Sequence, residues 1–207
     1  MTRILLIRHA TAELMTRVLY GRTPGVHLNS EGYREAQKLG EALKMKCDLD
    51  AVISSPLERA IETARFVADP QSIAVSIDEG LNEIDFGGWA GKSLSELHEL
   101  LEWREYNRLR SVMRPPHGES ALEVQARAWS TLVRIAAAHQ DSIVAVVTHG
   151  DVIRYLLILL LGMPLDHILR LEIAPASISE IVLGTDQPIV RTVNKTIWSG
   201  VESERSD

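Results

Sequence analysis

Three short apolar runs limit what this chain can fold into. Residues 4–7 (Ile, Leu, Leu, Ile), residues 51–54 (Ala, Val, Ile, Ser) and residues 143–148 (Ile, Val, Ala, Val, Val, Thr) are strand-length and show no polar alternation. A strand without alternation is buried on both faces, and that happens where helices cover both sides of a largely parallel sheet. Between the runs lie stripes at helical spacing. They are Ala36, Leu39, Gly40 and Leu43, then Leu57, Ile61, Ala64 and Ala68, then Leu122, Ala126, Trp129, Leu132, Val133 and Ala136. Alternating strands and helices specify an α/β fold, a three-layer α/β/α sandwich around a mostly parallel sheet.

Local signals set the expected boundaries. Asn29 or Ser30 caps the first helix. Ser55-Pro56 opens the second, with proline in the tolerated first turn. Ser93-Leu94-Ser95-Glu96 and Ser120-Ala121-Leu122-Glu123 match capping boxes. The first of these starts a helix running to about Arg110 on Leu94, Leu97, Leu100 and Leu101. Residues 73–77 read as a strand, at an edge. Residues 171–173, 178–183 and 189–194 read as late strands. The length of 207 residues fits one domain over residues 1–200, with 84–120 as a lid and 201–207 as a frayed tail.

The charge of −6 argues against a nucleic-acid partner. The longest apolar stretch, residues 156–161, falls well short of the roughly 20 residues of a membrane span and reads as a core helix. The run at residues 4–7 ends too soon for a signal peptide. Cys47 is the lone cysteine, expected to be a partly buried residue near a helix end, and a reducing, cytoplasmic setting follows.

Two of the buried strands end in histidine, at His9 and His149, and Arg8 leaves the first strand too. The third leads into a turn carrying Arg59. Ligands of open α/β sheets bind at the carboxyl ends of strands. If these strands are neighbours, two imidazoles and two guanidiniums share one edge. That set suits phosphoryl transfer. Guanidiniums bind phosphate bidentately. A neutral imidazole is a nucleophile, and its far nitrogen needs an acceptor that fixes the tautomer. A second, protonated histidine would stabilise the equatorial oxygens. A carboxylic acid must protonate the leaving oxygen; Glu83, in a glycine-rich loop, is the first candidate and Asp85 its competitor.

Leu6-Ile7-Arg8-His9, then Ser54-Ser55-Pro56-Leu57-Glu58-Arg59-Ala60, then Leu81-Asn82-Glu83 with Phe86-Gly87-Gly88-Trp89-Ala90-Gly91, then Thr148-His149-Gly150 occur in that order. In series they resemble the histidine phosphatase superfamily, in its phosphoglycerate-mutase-like branch, up to about Arg154. The resemblance implies a phosphoglycerate-mutase-like fold and a phosphomonoester hydrolase that works without cofactor or metal. It implies His9 as the phosphorylated nucleophile, Arg8, Arg59 and His149 as the phosphate pocket, and Glu83 as general acid and base. Gly21 and Arg22 would line the substrate site from the long first loop, with Thr11 and Gly150 as further contacts. Ala10-Thr11-Ala12 and Met15 depart from the family pattern. The segment from Glu83 to His149 is short for a mutase and lacks a tight basic pair among Arg104, Arg108, Arg110, Arg114, Arg127 and Arg134. The stretch from Asp85 to Gly91 is similar to that of α-ribazole phosphatase-like enzymes. A phosphatase acting on a small-molecule phosphate ester is therefore favoured over mutase-type transfer. Trp89 and Trp103 are read as lid packing. Two other readings stand beside it: a metal-dependent hydrolase using His9, His149 and Asp151, and a non-catalytic phosphate-binding or regulatory module. The late strands supply an edge for pairing into a homo-oligomer.

Overall fold

The computed structural model describes residues 1–13, 17–184 and 186–196. The elements are β1 (Thr2–Arg8), α1 (Ser30–Lys46), β2 (Ala51–Ser54), α2 (Glu58–Ala68), β3 (Val75–Ile77), α3 (Leu94–Glu99), α4 (Leu101–Arg108), α5 (Ala121–Ala138), β4 (Ile143–Thr148), α6 (Gly150–Leu160), β5 (Ile178–Leu183) and β6 (Ile189–Lys195). The strands form a six-stranded sheet in the order β3-β2-β4-β1-β5-β6. β3, β2, β4 and β1 are mutually parallel. β5 runs antiparallel to both β1 and β6. Met15 and the tail at 201–207 lie outside the described residues.

The absence of alternation in the three runs has the expected cause. Leu5, Ile7, Val52, Ala145 and Val147 pack with the apolar faces of α1 and α2. Ile4, Leu6, Ile53, Val144 and Val146 pack on the other face with α5 and α6. Each fully buried aliphatic side chain contributes on the order of 1.5–3 kcal/mol, and this double burial is what pins β1 at the sheet centre. β3 lies at one edge, as expected. At the other, β6 alternates between exposed and half-buried residues. Among the described residues no helix is long and apolar enough to cross a membrane.

Three boundaries depart from the sequence reading. Pro56 precedes the second helix, because the N-cap is Leu57 and its own backbone is extended. The helix expected from Leu94 to about Arg110 is two helices that break at Leu100, whose backbone is extended at φ −80° and ψ 127°. The break lets α4 turn Trp103 and Tyr106 inward against Trp89, each pair 5.3 Å between ring centroids, while Leu101 is left exposed. Trp89 and Trp103 are thus lid packing. Residues 171–173 form no strand. The Leu171 carbonyl accepts from Arg154 Nε and the Ile173 carbonyl from Arg8 Nη1, so side chains take the acceptors a ladder would use. Cys47 is the half-buried C-cap of α1.

The segment 84–120 folds back on itself through glycine. Gly87 has φ +50°, and a Cβ there would come within 2.1 Å of the Pro116 carbonyl. That carbonyl accepts from Gly88 N at 2.8 Å, joining the two ends of the segment beside the sheet edge.

Candidate active site

The parallel register of β1 and β4 pairs Arg8 with Thr148, so the residues that follow, His9 and His149, leave the sheet side by side. His9 N donates to the Thr148 carbonyl at 2.9 Å, and the imidazole centroids are 5.1 Å apart. β2 neighbours β4, and Ser55 N donates to the Val147 carbonyl, which carries the chain across the same edge into α2. Arg59, in the first turn of α2, therefore reaches back over His9. Its Nε lies 3.3 Å from His9 Nε2, and its Nη2 donates to the Gly21 carbonyl at 2.8 Å.

The His9 imidazole is oriented by backbone. His9 Nδ1 lies 2.8 Å from the Ala10 carbonyl. A carbonyl only accepts, so Nδ1 carries the proton and Nε2 keeps its lone pair toward Arg59. Burial, followed by the charges of Arg59 and Arg8, pushes the His9 pKa well below the ordinary imidazole value. The imidazole is thus neutral, as attack on phosphorus requires.

His149 is held neutral as well, by burial first and then by Arg59, His9, Arg127 and Arg8. Burial, and after it the neighbouring guanidiniums, disfavour the protonated imidazole expected here. Its Nε2 lies 2.7 Å from Ser55 Oγ. With Ser55 donating, Nδ1 holds the proton, and a neutral His149 still offers an N–H. That Nδ1 has no hydrogen-bond partner among the described residues, and neither has Arg59 Nη1. Buried donors left unpaired cost on the order of 1–3 kcal/mol each. Two of them around one histidine mark a position for an anion.

Glu83 enters from the loop after a short 3₁₀ turn, Glu79–Leu81. Its Oε1 accepts from Ile84 N at 2.8 Å, and its Oε2 is 4.0 Å from His149 Nδ1. Burial, reinforced by the negative charge of Asp151, raises its pKa to about 7. A carboxyl protonated near neutrality is suited to donating a proton. The competitor Asp85 is spent locally, its Oδ1 accepting from Gly87 N at 2.8 Å.

A cavity of about 150 Å³ opens between these groups, lined by Arg8, His9, Arg59 and Glu83 with Tyr20, Gly21 and Gly150. Gly150 opens α6, and a Cβ there would come within 3.2 Å of Arg8 Nε. Two expected contacts lie elsewhere. Thr11 turns away to α1, donating to Glu35 through both its amide and its hydroxyl at 2.8 and 3.1 Å. Arg22 donates to the Glu83 carbonyl at 2.8 Å and pairs with Glu119 at 2.7 Å, so it braces the backbone behind the acid.

Sequence reasoning missed Arg154, and it named Asp151 only as a metal ligand. Both line the cavity. The Asp151 carboxylate is taken by Arg110 and Arg154, each at 2.8 Å, which makes it an ion-pair residue and not a member of a His9–His149 metal set. Arg154 lies one helical turn beyond Gly150 on the same face of α6, which was the available signal.

Residues 4–196 match the family described as the histidine phosphatase superfamily (branch 1). The chain is 34% identical over 198 residues to a bifunctional protein of Mycobacterium tuberculosis, covering 94% of this chain and 54% of the relative. It therefore spans about half of that relative's length. It is 28% identical to phosphoserine phosphatase 1 of Hydrogenobacter thermophilus, over 97% of this chain and 95% of that one. It is 29% identical to a 2,3-bisphosphoglycerate-dependent phosphoglycerate mutase of Mesorhizobium japonicum, over 92% of each. Among solved structures, the α-ribazole phosphatase of Shigella flexneri is 25% identical with a TM-score of 0.82, over 94% of this chain and 96% of that one.

Proposed function

The chain belongs to the histidine phosphatase superfamily, and from that premise we propose that it is a phosphomonoester hydrolase that works through phosphohistidine at His9. The observation that carries this reading is the pairing of a neutral, backbone-oriented His9 with a carboxyl of pKa about 7 across one small cationic cavity.

The ester's phosphate sits against Arg8, Arg59 and the His149 Nδ1 proton, whose fixed donors match its oxygens. His9 Nε2 attacks phosphorus and the P–O bond to the alcohol breaks. Protonated Glu83 gives its proton to the leaving oxygen. Glu83, now a carboxylate, takes a proton from water as that water attacks phosphorus and the P–Nε2 bond breaks. Inorganic phosphate departs and His9 is regenerated neutral. The guanidiniums supply the positive charge, so the reaction needs no metal ion. The lone Cys47 suits a cytoplasmic setting.

Hydrolysis is favoured over mutase transfer by the lid. Of its arginines, Arg110 is paired with Asp151 and Arg114 with Glu123, which leaves no tight basic pair to grip a second phosphate. The test is turnover of simple alkyl phosphates in chelator, run beside a phosphoglycerate mutase assay. Phosphate release from the wild type and none from His9→Ala is the expected result. Isomerisation faster than hydrolysis would favour the mutase instead, and an unchanged His9→Ala rate would remove the nucleophile.

A further inference from the structure

A second cavity, of about 580 Å³, adjoins the phosphate site and shares Leu19, Phe86, Asp151 and Arg154 with it. Shared walls place it where the alcohol half of an ester must lie once its phosphate is on His9. Its volume falls in the range of sites for drug-sized molecules, far more than a three-carbon alcohol fills. Much of its lining is apolar, from Leu19, Phe86, Leu94, Trp103 and Leu169.

The polar lining has a definite sign. The one acid, Asp151, is already matched by both Arg110 and Arg154. Arg104 and His98 stand at the rim, both exposed. Among the described residues neither side chain has an ion pair or hydrogen bond with the protein. The cavity thus presents an apolar floor with the unmatched guanidinium of Arg104 at its rim. A compact polar alcohol would leave the floor wet. A neutral apolar one would leave the rim unused.

Resting on the phosphatase reading above, we propose that the substrate is a phosphomonoester whose alcohol has an apolar body of at least ring size and carries a second acidic group, which meets Arg104. Arg104 is then a specificity-determining residue, acting on binding and not on the phosphoryl step.

Four esters with alkoxide leaving groups separate the parts of this proposal: 4-carboxybenzyl phosphate, benzyl phosphate, O-phosphoserine and glycerol phosphate. Burying a ring should raise kcat/KM for benzyl phosphate at least about tenfold over glycerol phosphate. The carboxylate should add a further preference of about fivefold, as expected for a rim ion pair. Arg104→Gln should erase the ratio between the two benzyl esters through KM, and Arg104→Lys should restore part of it. Faster hydrolysis of O-phosphoserine or glycerol phosphate than of the benzyl esters would overturn the cavity assignment while leaving the phosphatase standing. An unchanged benzyl ratio in a folded Arg104→Gln protein would overturn the acidic group. No turnover of any of the four by folded wild type would overturn the phosphatase reading itself.

Discussion

One hydrogen bond, from His9 Nδ1 to the Ala10 carbonyl, decides which nitrogen of His9 keeps its lone pair. The acceptor belongs to the backbone, so the alanine after His9 can serve there as well as another small residue. The pH behaviour follows from two neighbours shifted in opposite directions. The profile of kcat/KM reports the free enzyme. Its alkaline limb should lie near the Glu83 pKa of about 7, since the acid must be protonated. Its acid limb should lie well below the ordinary imidazole value, since His9 resists protonation. The optimum for alkyl esters then falls below pH 7, and Glu83→Gln should lose the alkaline limb together with most of the rate on poor leaving groups. A pH-rate series on both proteins checks this; an alkaline limb unchanged in Glu83→Gln would assign it to another group.

Stability carries the same signature. Glu83 has a raised folded pKa, so the native state holds a proton that the unfolded chain loses earlier, and stability falls as pH rises through about 7. Glu83→Gln removes that burden and should melt higher than wild type at pH 8, with a smaller difference at pH 5. The histidines act in the other direction. Their depressed folded pKa values give stability that is present above the unfolded imidazole pKa of about 6.5 and lost as pH falls below it. Melting curves of both proteins from pH 5 to 8 read out these signs.

At the scale of elements, strand ends were legible and side-chain partners were not. His9, His149 and Arg59 could be placed together because apolar runs show where strands stop and parallel strands stop at a common edge. Glu83 came from glycine spacing in the loop and from the family resemblance. Thr11 and Arg22 could not be placed, because their partners Glu35 and Glu119 lie on remote segments with no local signature. The break at Leu100 was hidden for a similar reason. Leucine spacing continues through it, and the choice is made by the aromatic cluster that α4 fills. That cluster is tied to the site by Arg110, which lies just beyond α4, over the Tyr106 ring, and donates to Asp151 and Tyr155. Removing one partner of a buried ion pair typically costs about 3–5 kcal/mol. Arg110→Ala should therefore lower stability by roughly that amount, measured by denaturant unfolding. A loss under about 1 kcal/mol would show that Asp151 is adequately held by Arg154 alone.

Across the whole molecule, the unpaired donors at the sheet edge predict that an oxyanion stabilises the fold. Inorganic phosphate or vanadate at 100 times its dissociation constant adds about 2.7 kcal/mol, or roughly 5–10 °C in Tm for a chain of this size. Arg59→Ala should abolish that shift, because it removes the guanidinium that faces His9. An equal shift in Arg59→Ala would place the anion elsewhere.

The position of β1 also governs how the chain assembles. Its partners are β4 and β5, which begin at Ile143 and Ile178. During synthesis β1 emerges before the other strands and waits through residues 9–142 for β4. Until β4 is made, residues 4–7 are an unprotected template for pairing with other chains. Long-range closure of this kind makes folding slow. Nascent chains that stop before residue 143 should therefore depend on chaperones and aggregate without them. The edge that sets His9 and His149 side by side comes into existence only when β4 pairs with β1, so no nascent chain that stops before residue 149 can carry out the proposed chemistry.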